Sequence, residues 1–270
     1  VFLSPGAPYL SPRYKQWIMS LIEDIDGKVA LITGASSGIG EATAESLAEE
    51  GVNVALAARR EDELEQLADR IKSSGGDALV VPTDVTDEDE VKELVDRTHD
   101  EFGRIDILVN NAGVMLLEQV ESADTDNFQQ MVDVNLSGLM AVTHAVLPIM
   151  QQQGSGHVVN ISSVAGRKSF PGSSAYSATK FGVNGFSRGL RKEVTGENDI
   201  RVTRIEPGFV DTELADHIPE DEQREQTQQM LETMDALTPE DIARSITYAV
   251  GQPDHVDVNE LLIRPTQQEL

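Results

Sequence analysis

From Lys28 onward, short continuous apolar runs alternate with helical patterns of ten to twenty residues, and this rhythm leaves few folds open. The runs 28–33, 52–58, 78–82, 105–109, 157–161, 200–205 and 258–263 have strand length and no strict in-and-out alternation. Strands of that kind are covered on both faces, as in a parallel sheet whose connections are helices. Between them the pattern predicts helices over 39–50, 61–73, from a Thr86 or Asp87 cap to Phe102, 124–150, 174–195 and 239–250. Their ends carry suitable signals. Gly51, Gly75-Gly76 and Gly103 stand just past three C-termini, and Thr238-Pro239 supplies an N-cap and a first-turn proline. The expected fold class is therefore α/β: a Rossmann-type, doubly wound, mostly parallel seven-stranded sheet with helices on both faces. No linker or repeat divides 21–270, which reads as one domain. Residues 1–20 carry three prolines and no periodic pattern, and are expected to form a disordered extension, with Met19 as a possible start. They lack the basic and apolar regions of a signal peptide.

Charge narrows the function classes. Against 47 Asp and Glu stand 21 Lys and Arg, seven of them Lys, giving a net charge of −26 spread along the predicted surface helices. Such a chain repels nucleic acid and anionic lipid, and strains its own compact state unless salt screens it. The pattern looks like that of a salt-accumulating halophile such as a haloarchaeon, with an ordinary acidic cytoplasmic protein as the alternative. The apolar runs are short and interrupted, so no membrane span is expected. With no cysteine, thiolate metal centres are excluded, and neither His144 nor His157 has a partner at ligand spacing, so no metal is expected.

The turn after the first strand reads Thr33-Gly34-Ala35-Ser36-Ser37-Gly38-Ile39-Gly40. Glycines there permit a tight turn, close approach of a pyrophosphate and close helix packing, and the next helix offers free N–H groups to an anion. The second strand ends Ala57-Ala58-Arg59-Arg60, with no carboxylate to hold a ribose 2′-OH. A 2′-phosphate needs positive charge at that point, so NADP(H) is favoured, with Arg59 as the main donor. Arg60 can do the same or pair with Glu61 or Glu63. The polar excursion at about 209–236 lies beyond the end of a strand, over the expected cofactor crevice, and is read as a lid; a plain surface insertion would look similar.

Tyr176 and Lys180 stand four residues apart on one helix face. Hydride transfer to a carbonyl creates an alkoxide that needs a proton, and a nearby ammonium makes a phenol a better proton carrier at neutral pH. Met115, Leu116, Val164 and Phe170 would give a partly apolar substrate pocket. Arg167 is a candidate clamp for a substrate carboxylate, or pairs with the acidic surface instead.

Taken together, Thr33–Gly40, Asp84, Asn110-Asn111-Ala112-Gly113, Asn135, Ser162-Ser163, Tyr176-x-x-x-Lys180 and Pro207-Gly208, in that order, resemble the short-chain dehydrogenase/reductase family from Gly27 to Pro265. Within it, NNAGVMLL (110–117), SATKFGVNGFS (177–187), DTEL (211–214) and ELLIRPTQQ (260–268) are most similar to the NADP-preferring branch of clavulanic acid and 3-hydroxy acid (serine/threonine) dehydrogenases. The resemblance implies a catalytic set of Asn135, Ser163, Tyr176 and Lys180. Tyr176 would be the acid/base, Ser163 would polarise the substrate oxygen, and Lys180 would also bind the nicotinamide ribose. Asn135 would hold a relay water. Of the two serines, only Ser163 lies at the family's interval of thirteen from the tyrosine. The resemblance further implies cofactor contacts from Asp84 and Val85 to adenine, from Asn111, Ala112 and Gly113 beneath the adenosine, and from Pro207, Gly208, Val210 and Thr212 near the nicotinamide. It also implies a homodimer or homotetramer through the two long helices. The expected activity interconverts a secondary alcohol (or 3-hydroxy acid) and a carbonyl compound. The alternatives are a non-catalytic NADP-binding regulatory protein, or an epimerase or dehydratase of the same fold.

Overall fold

The structure, a computed structural model, describes residues 25–195 and 199–269; the expected N-terminal extension lies outside them. Seven strands alternate with helices along the chain: β1 (Val29–Thr33), α1 (Gly38–Glu49), β2 (Asn53–Ala58), α2 (Glu61–Ser73), β3 (Ala78–Pro82) and α3 (Glu88–Phe102). They continue with β4 (Ile107–Asn110), α4 (Thr125–Val132), a π-helical segment (Asp133–Gly138), α5 (Leu139–Gln153), β5 (Ser155–Ile161) and α6 (Ser174–Val194). The last elements are β6 (Asp199–Pro207), α7 (Asp221–Thr233), α8 (Pro239–Val250) and β7 (Glu260–Ile263). The strands form one sheet in the order β3-β2-β1-β4-β5-β6-β7, and every pairing is parallel.

Side chains of successive strand residues point to opposite faces, so each strand feeds two cores. Ile32 packs on one face with Leu47, Leu64 and Ile246 from α1, α2 and α8. Leu31 packs on the other with Leu94, Val146 and Leu190 from α3, α5 and α6. This is why strands such as VALIT and NVALAA carry apolar residues on both faces. Helix ends follow the expected chemistry: Asp87 accepts from the backbone N–H of Asp89 and Glu90, and Thr238 forms a capping box with Asp241.

By length and composition, the helical stretch Thr125–Gln153 is long and apolar enough to cross a membrane, with a mean hydropathy of 1.4 over its best window. Its Val142, Val146 and Met150 are buried against the sheet instead, as in a core helix. The polar excursion read as a lid or a surface insertion holds a short 3-10 turn, Glu213–His217, and the whole of α7.

A buried histidine sits away from the strands' C-terminal ends. His157 Nε2 lies 2.7 Å from Thr203 Oγ1, and that hydroxyl donates to the Val258 carbonyl at 2.7 Å. The hydroxyl proton is thereby committed, so His157 donates from Nε2 and leaves Nδ1 bare and buried without a partner. Burial, with Arg201 and Lys28 nearby, holds the imidazole well below its ordinary value. The unfolded chain takes up this proton near pH 6.5 while the folded protein refuses it. Stability is therefore unaffected above that pH and falls below it by up to about 1.4 kcal/mol per pH unit from this group. Urea unfolding at pH 7.5 and 5.5 checks this. The His157→Gln variant is expected to lose less stability on acidification than the parent, and equal losses would sink the assignment.

Candidate active site

The order of strands reverses between β1 and β4, and in open α/β sheets the crevice for ligands opens at that reversal. Both loops that leave it are held together by side chains. Thr33 Oγ1 accepts from the backbone N–H groups of Asn111 and Ala112, each at 3.1 Å. Asn111 Nδ2 donates to the carbonyls of Thr33 and Gly34 at 3.1 and 3.0 Å. Gly34 adopts φ +67° with Ala112 Cα 2.8 Å from where a Cβ would stand, and a Cβ on Gly40 would lie 2.2 Å from the Gly34 carbonyl oxygen. The turn therefore accepts no side chain at either position.

This turn fits the phosphates of a dinucleotide. Ser37 precedes α1 in an extended conformation but does not cap it. Its hydroxyl accepts instead from Arg60 Nη2 at 2.7 Å, while Arg60 Nε donates to Ser36 Oγ at 3.2 Å. Two hydroxyls, a guanidinium and an uncapped helix N-terminus thus converge beside Gly38 and Ile39, an arrangement suited to an anion. Arg60 does not pair with Glu61 or Glu63. Its third contact is Glu213 Oε2 at 3.1 Å, from the excursion beyond β6. Arg59 extends on the other side, 4.0 Å from Asp84, with its side chain 66% exposed. Burial alone would raise the Asp84 carboxyl, but hydrogen bonds from Thr86 and the charge of Arg59 outweigh it and hold it below its ordinary value. Val85 is buried next to Gly138, where a Cβ would come 2.8 Å from its side chain.

The four residues expected to do chemistry meet on the same side of the sheet. Ser163 follows β5 and caps the turn Val164–Gly166, accepting from Ala165 N–H at 3.0 Å. Tyr176 and Lys180 are both buried on α6. Burial pushes the phenol up to about 12, against a hydrogen bond with Ser163 that pulls it down. The same burial brings the Lys180 ammonium down to about 8. Its Nζ donates to the Ile161 carbonyl at 3.0 Å and lies 5.7 Å from the centre of the Tyr176 ring. The expected lowering of the phenol by the ammonium is not what dominates here: the cost of desolvating a phenolate wins.

Asn135 occupies the π-helical segment, a widening that its sequence context did not reveal. Its Oδ1 accepts from Val114 N–H at 2.7 Å, and its Nδ2 donates to the Val114 carbonyl at 2.9 Å and to Thr179 Oγ1 at 3.2 Å. One lone pair on Oδ1 stays open. Asn135 Oδ1 and Lys180 Nζ approach the same point: a Cβ on Gly113 would lie 3.3 Å from the first and 3.8 Å from the second. Ser162 turns inward, donating to Asn184 Oδ1 at 2.6 Å, so it is a structural neighbour of Ser163.

Around the phenol lie apolar side chains from three directions. Leu116 and Leu117 follow β4, Ala165 follows Ser163, and Ala215, Ile218 and Leu231 belong to the excursion. Met115 packs at the margin of this cluster. Thr212 begins the excursion directly over Gly38, where a Cβ would come 3.1 Å from its methyl group. Pro207 ends β6, Gly208 N–H donates to the Ile263 carbonyl at 2.7 Å, and Val210 bridges to Leu237. Two surface cavities, of about 350 and 550 Å³, lie at Arg60–Glu63 and along Asp211–Asp216 with Gln228 and Leu231. Neither is lined by Ser163 or Tyr176, and the Tyr176 side chain is buried.

Arg167 is not placed as a free clamp. Its guanidinium reaches Glu206 and, at 2.8 Å, Glu260. Glu206 is fully buried and also accepts from Arg204 Nε and Asn184 Nδ2, each at 2.9 Å. Sequence reasoning missed this network, as well as Thr179 and Glu213. A signal existed: the lone glutamate in the strand IRVTRIEP, just before Pro207-Gly208, has to be paired if buried.

Comparison with known proteins agrees with this geometry. The family model described as short chain dehydrogenase matches residues 28–223. An uncharacterized oxidoreductase of Staphylococcus saprophyticus is 43% identical over 252 residues, 92% of this chain and 100% of that protein. Among solved structures, the closed form of serine dehydrogenase complexed with NADP+ matches with 35% identity and a TM-score of 0.83, over 90% of this chain and 96% of the other. An alcohol dehydrogenase from the archaeon Thermococcus sibiricus, complexed with 5-hydroxy-NADP, matches with 30% identity and a TM-score of 0.80, over 90% and 98%.

Proposed function

The chain belongs to the short chain dehydrogenase family, and we propose that it is an NADP(H)-dependent oxidoreductase that interconverts an alcohol and the corresponding ketone or aldehyde. The observation that carries this reading is the convergence of Ser163, Tyr176 and Lys180 beside the crevice at the β1–β4 reversal. The names of the two solved relatives, serine dehydrogenase and alcohol dehydrogenase, leave both hydroxy acids and simple alcohols open.

When bound, the nicotinamide cofactor supplies or accepts the hydride. The protein's own groups handle the oxygen and its proton. With its phenol near 12, Tyr176 keeps its proton at neutral pH and acts as the acid in reduction, protonating the substrate oxygen as negative charge builds on it. Ser163, which shares a hydrogen bond with that phenol, donates to the same oxygen. Lys180, near 8, is still mostly charged at neutral pH and offsets the charge left on Tyr176. The open lone pair of Asn135, facing the same point as Lys180, suits a water that returns the proton. A protein that merely sensed the cofactor would have no need for this convergence, and an epimerase or dehydratase would give no net oxidation of the cofactor.

Preference for NADP(H) rests on Arg59 and Arg60, with no carboxylate at the end of β2 to receive a ribose 2′-OH. Arg59→Asp is expected to weaken NADPH binding by about 1–3 kcal/mol, the range for a charged hydrogen bond, and to spare NADH. Fluorescence titration with both cofactors checks it, and equal losses would make Arg59 structural. Exposed Met140 and Phe181, on α5 and α6, support assembly through the two long helices. The acidic surface supports a salt-adapted protein.

The test of function is NADPH and NADH oxidation in about 2 M KCl, a concentration that screens surface repulsion, across aldehydes, ketones and β-dicarbonyls, with a low-salt control. NADPH-preferring turnover is expected. Saturable cofactor binding with no turnover of any carbonyl would favour the non-catalytic reading.

A further inference from the structure

We propose that the oxygen reaching Tyr176 belongs to an uncharged ketone or secondary alcohol with apolar flanks, and that carboxylate-bearing substrates are rejected. The inference rests on the reductase reading above and sharpens it.

Three observations carry it. First, the Tyr176 ring belongs to an apolar cluster with Leu116, Leu117, Ala165, Ala215 and Ile218, side chains that offer no hydrogen bond to a carboxylate. An anion brought there without a partner loses its hydration for nothing. Second, the cation best placed by sequence, Arg167, is already committed. Its fork is shared between Glu206 and Glu260, and withdrawing it would leave the buried Glu206 with one cation fewer. Two other cations near the excursion are engaged as well. Lys180 donates to the Ile161 carbonyl, and Arg224 reaches the Ile218 carbonyl and Asp221. Lys168 lies exposed at the surface.

Third, the cavity beside this cluster is negative. The cavity of about 550 Å³ is lined by Asp211, Glu213 and Asp216 and shares Ala215 and Leu231 with the apolar cluster around Tyr176. Glu213 is partly offset by Arg60, and Asp216 accepts from the neutral Gln228 amide. Like charges at such a rim lower the local concentration of an anionic substrate, while a neutral molecule passes unhindered.

A matched pair isolates the charge: a 3-oxo acid and its methyl ester, which share the carbonyl to be reduced. At saturating NADPH and pH 7.5, kcat/KM for the ester is expected to exceed that for the acid by at least about tenfold, the cost of an unpaired buried anion setting the scale. A ratio near one, or one that favours the acid, overturns the proposal. If the acid is favoured, loss of that preference in Lys168→Gln identifies the cation that receives it. Failure of the wider reading is separately visible: the enzyme would then reduce neither compound, nor any simple ketone, while still binding cofactor by fluorescence.

Discussion

Tyr176→Phe is expected to lower turnover by roughly 10²- to 10⁴-fold, the usual worth of a positioned acid or base, while cofactor affinity stays close to that of the parent. The substitution removes only one oxygen atom. The ring remains packed against Leu117 and Ile218, so the apolar cluster keeps its volume and the fold should be undisturbed. What is lost is the single proton donor that shares a hydrogen bond with Ser163 and lies beside the Lys180 ammonium. Single-turnover measurement of cofactor oxidation, beside a fluorescence titration of binding, separates the two effects. A variant that retains near-parental turnover would place the acid elsewhere and overturn the mechanism.

Glu206→Ala should be the most damaging change to stability outside the apolar core. The parent carboxylate is 0% exposed and receives Arg167, Arg204 and Asn184 at once. Arg204 is itself only 1% exposed, and without Glu206 it keeps just Glu260, a partner nearer the surface. Removing one member of a buried charge network typically costs about 3–5 kcal/mol. Urea unfolding at pH 7 reads this directly, and a loss below about 1 kcal/mol would mean that the cluster is wetter than it looks. Activity should fall as well, because Asn184 joins Glu206 to the Gly166 carbonyl in the turn that Ser163 caps. Glu206→Gln keeps the acceptor oxygen and should restore part of both.

The sheet was legible because parallel strands buried on both faces leave a continuous apolar signature, and all seven runs became strands. The cofactor turn was equally readable, since glycine at 34 and 40 reflects a steric demand that no other residue meets. The π-helical winding around Asn135 was hidden, because nothing in local composition distinguishes one extra residue per turn. Arg167 was misplaced for a different reason. Its partners lie 39 and 93 positions further along the chain, and only the β5–β6–β7 pairing brings them near it. The phenol's upward shift was missed on the same ground, since burial by the excursion is a tertiary fact. Glu213 belonged to the family-like DTEL run, yet its reach to Arg60 could not be read without the path of the chain over the crevice.

The π-helical winding also accounts for one residue of this chain's length. A segment of that kind carries one residue more than an α-helix covering the same path. Deleting one residue between Asp133 and Gly138 would let the helix rewind regularly along that path, so Val142, Val146 and Met150 would keep their places against the sheet. What would change is the winding at Asn135, whose amide reaches Val114 and Thr179 from inside the widened segment. The extra residue thus serves the asparagine's position and not the helix behind it. A single deletion across 133–138 should therefore spare the fold and cost activity, even where the altered sequence makes a better helix.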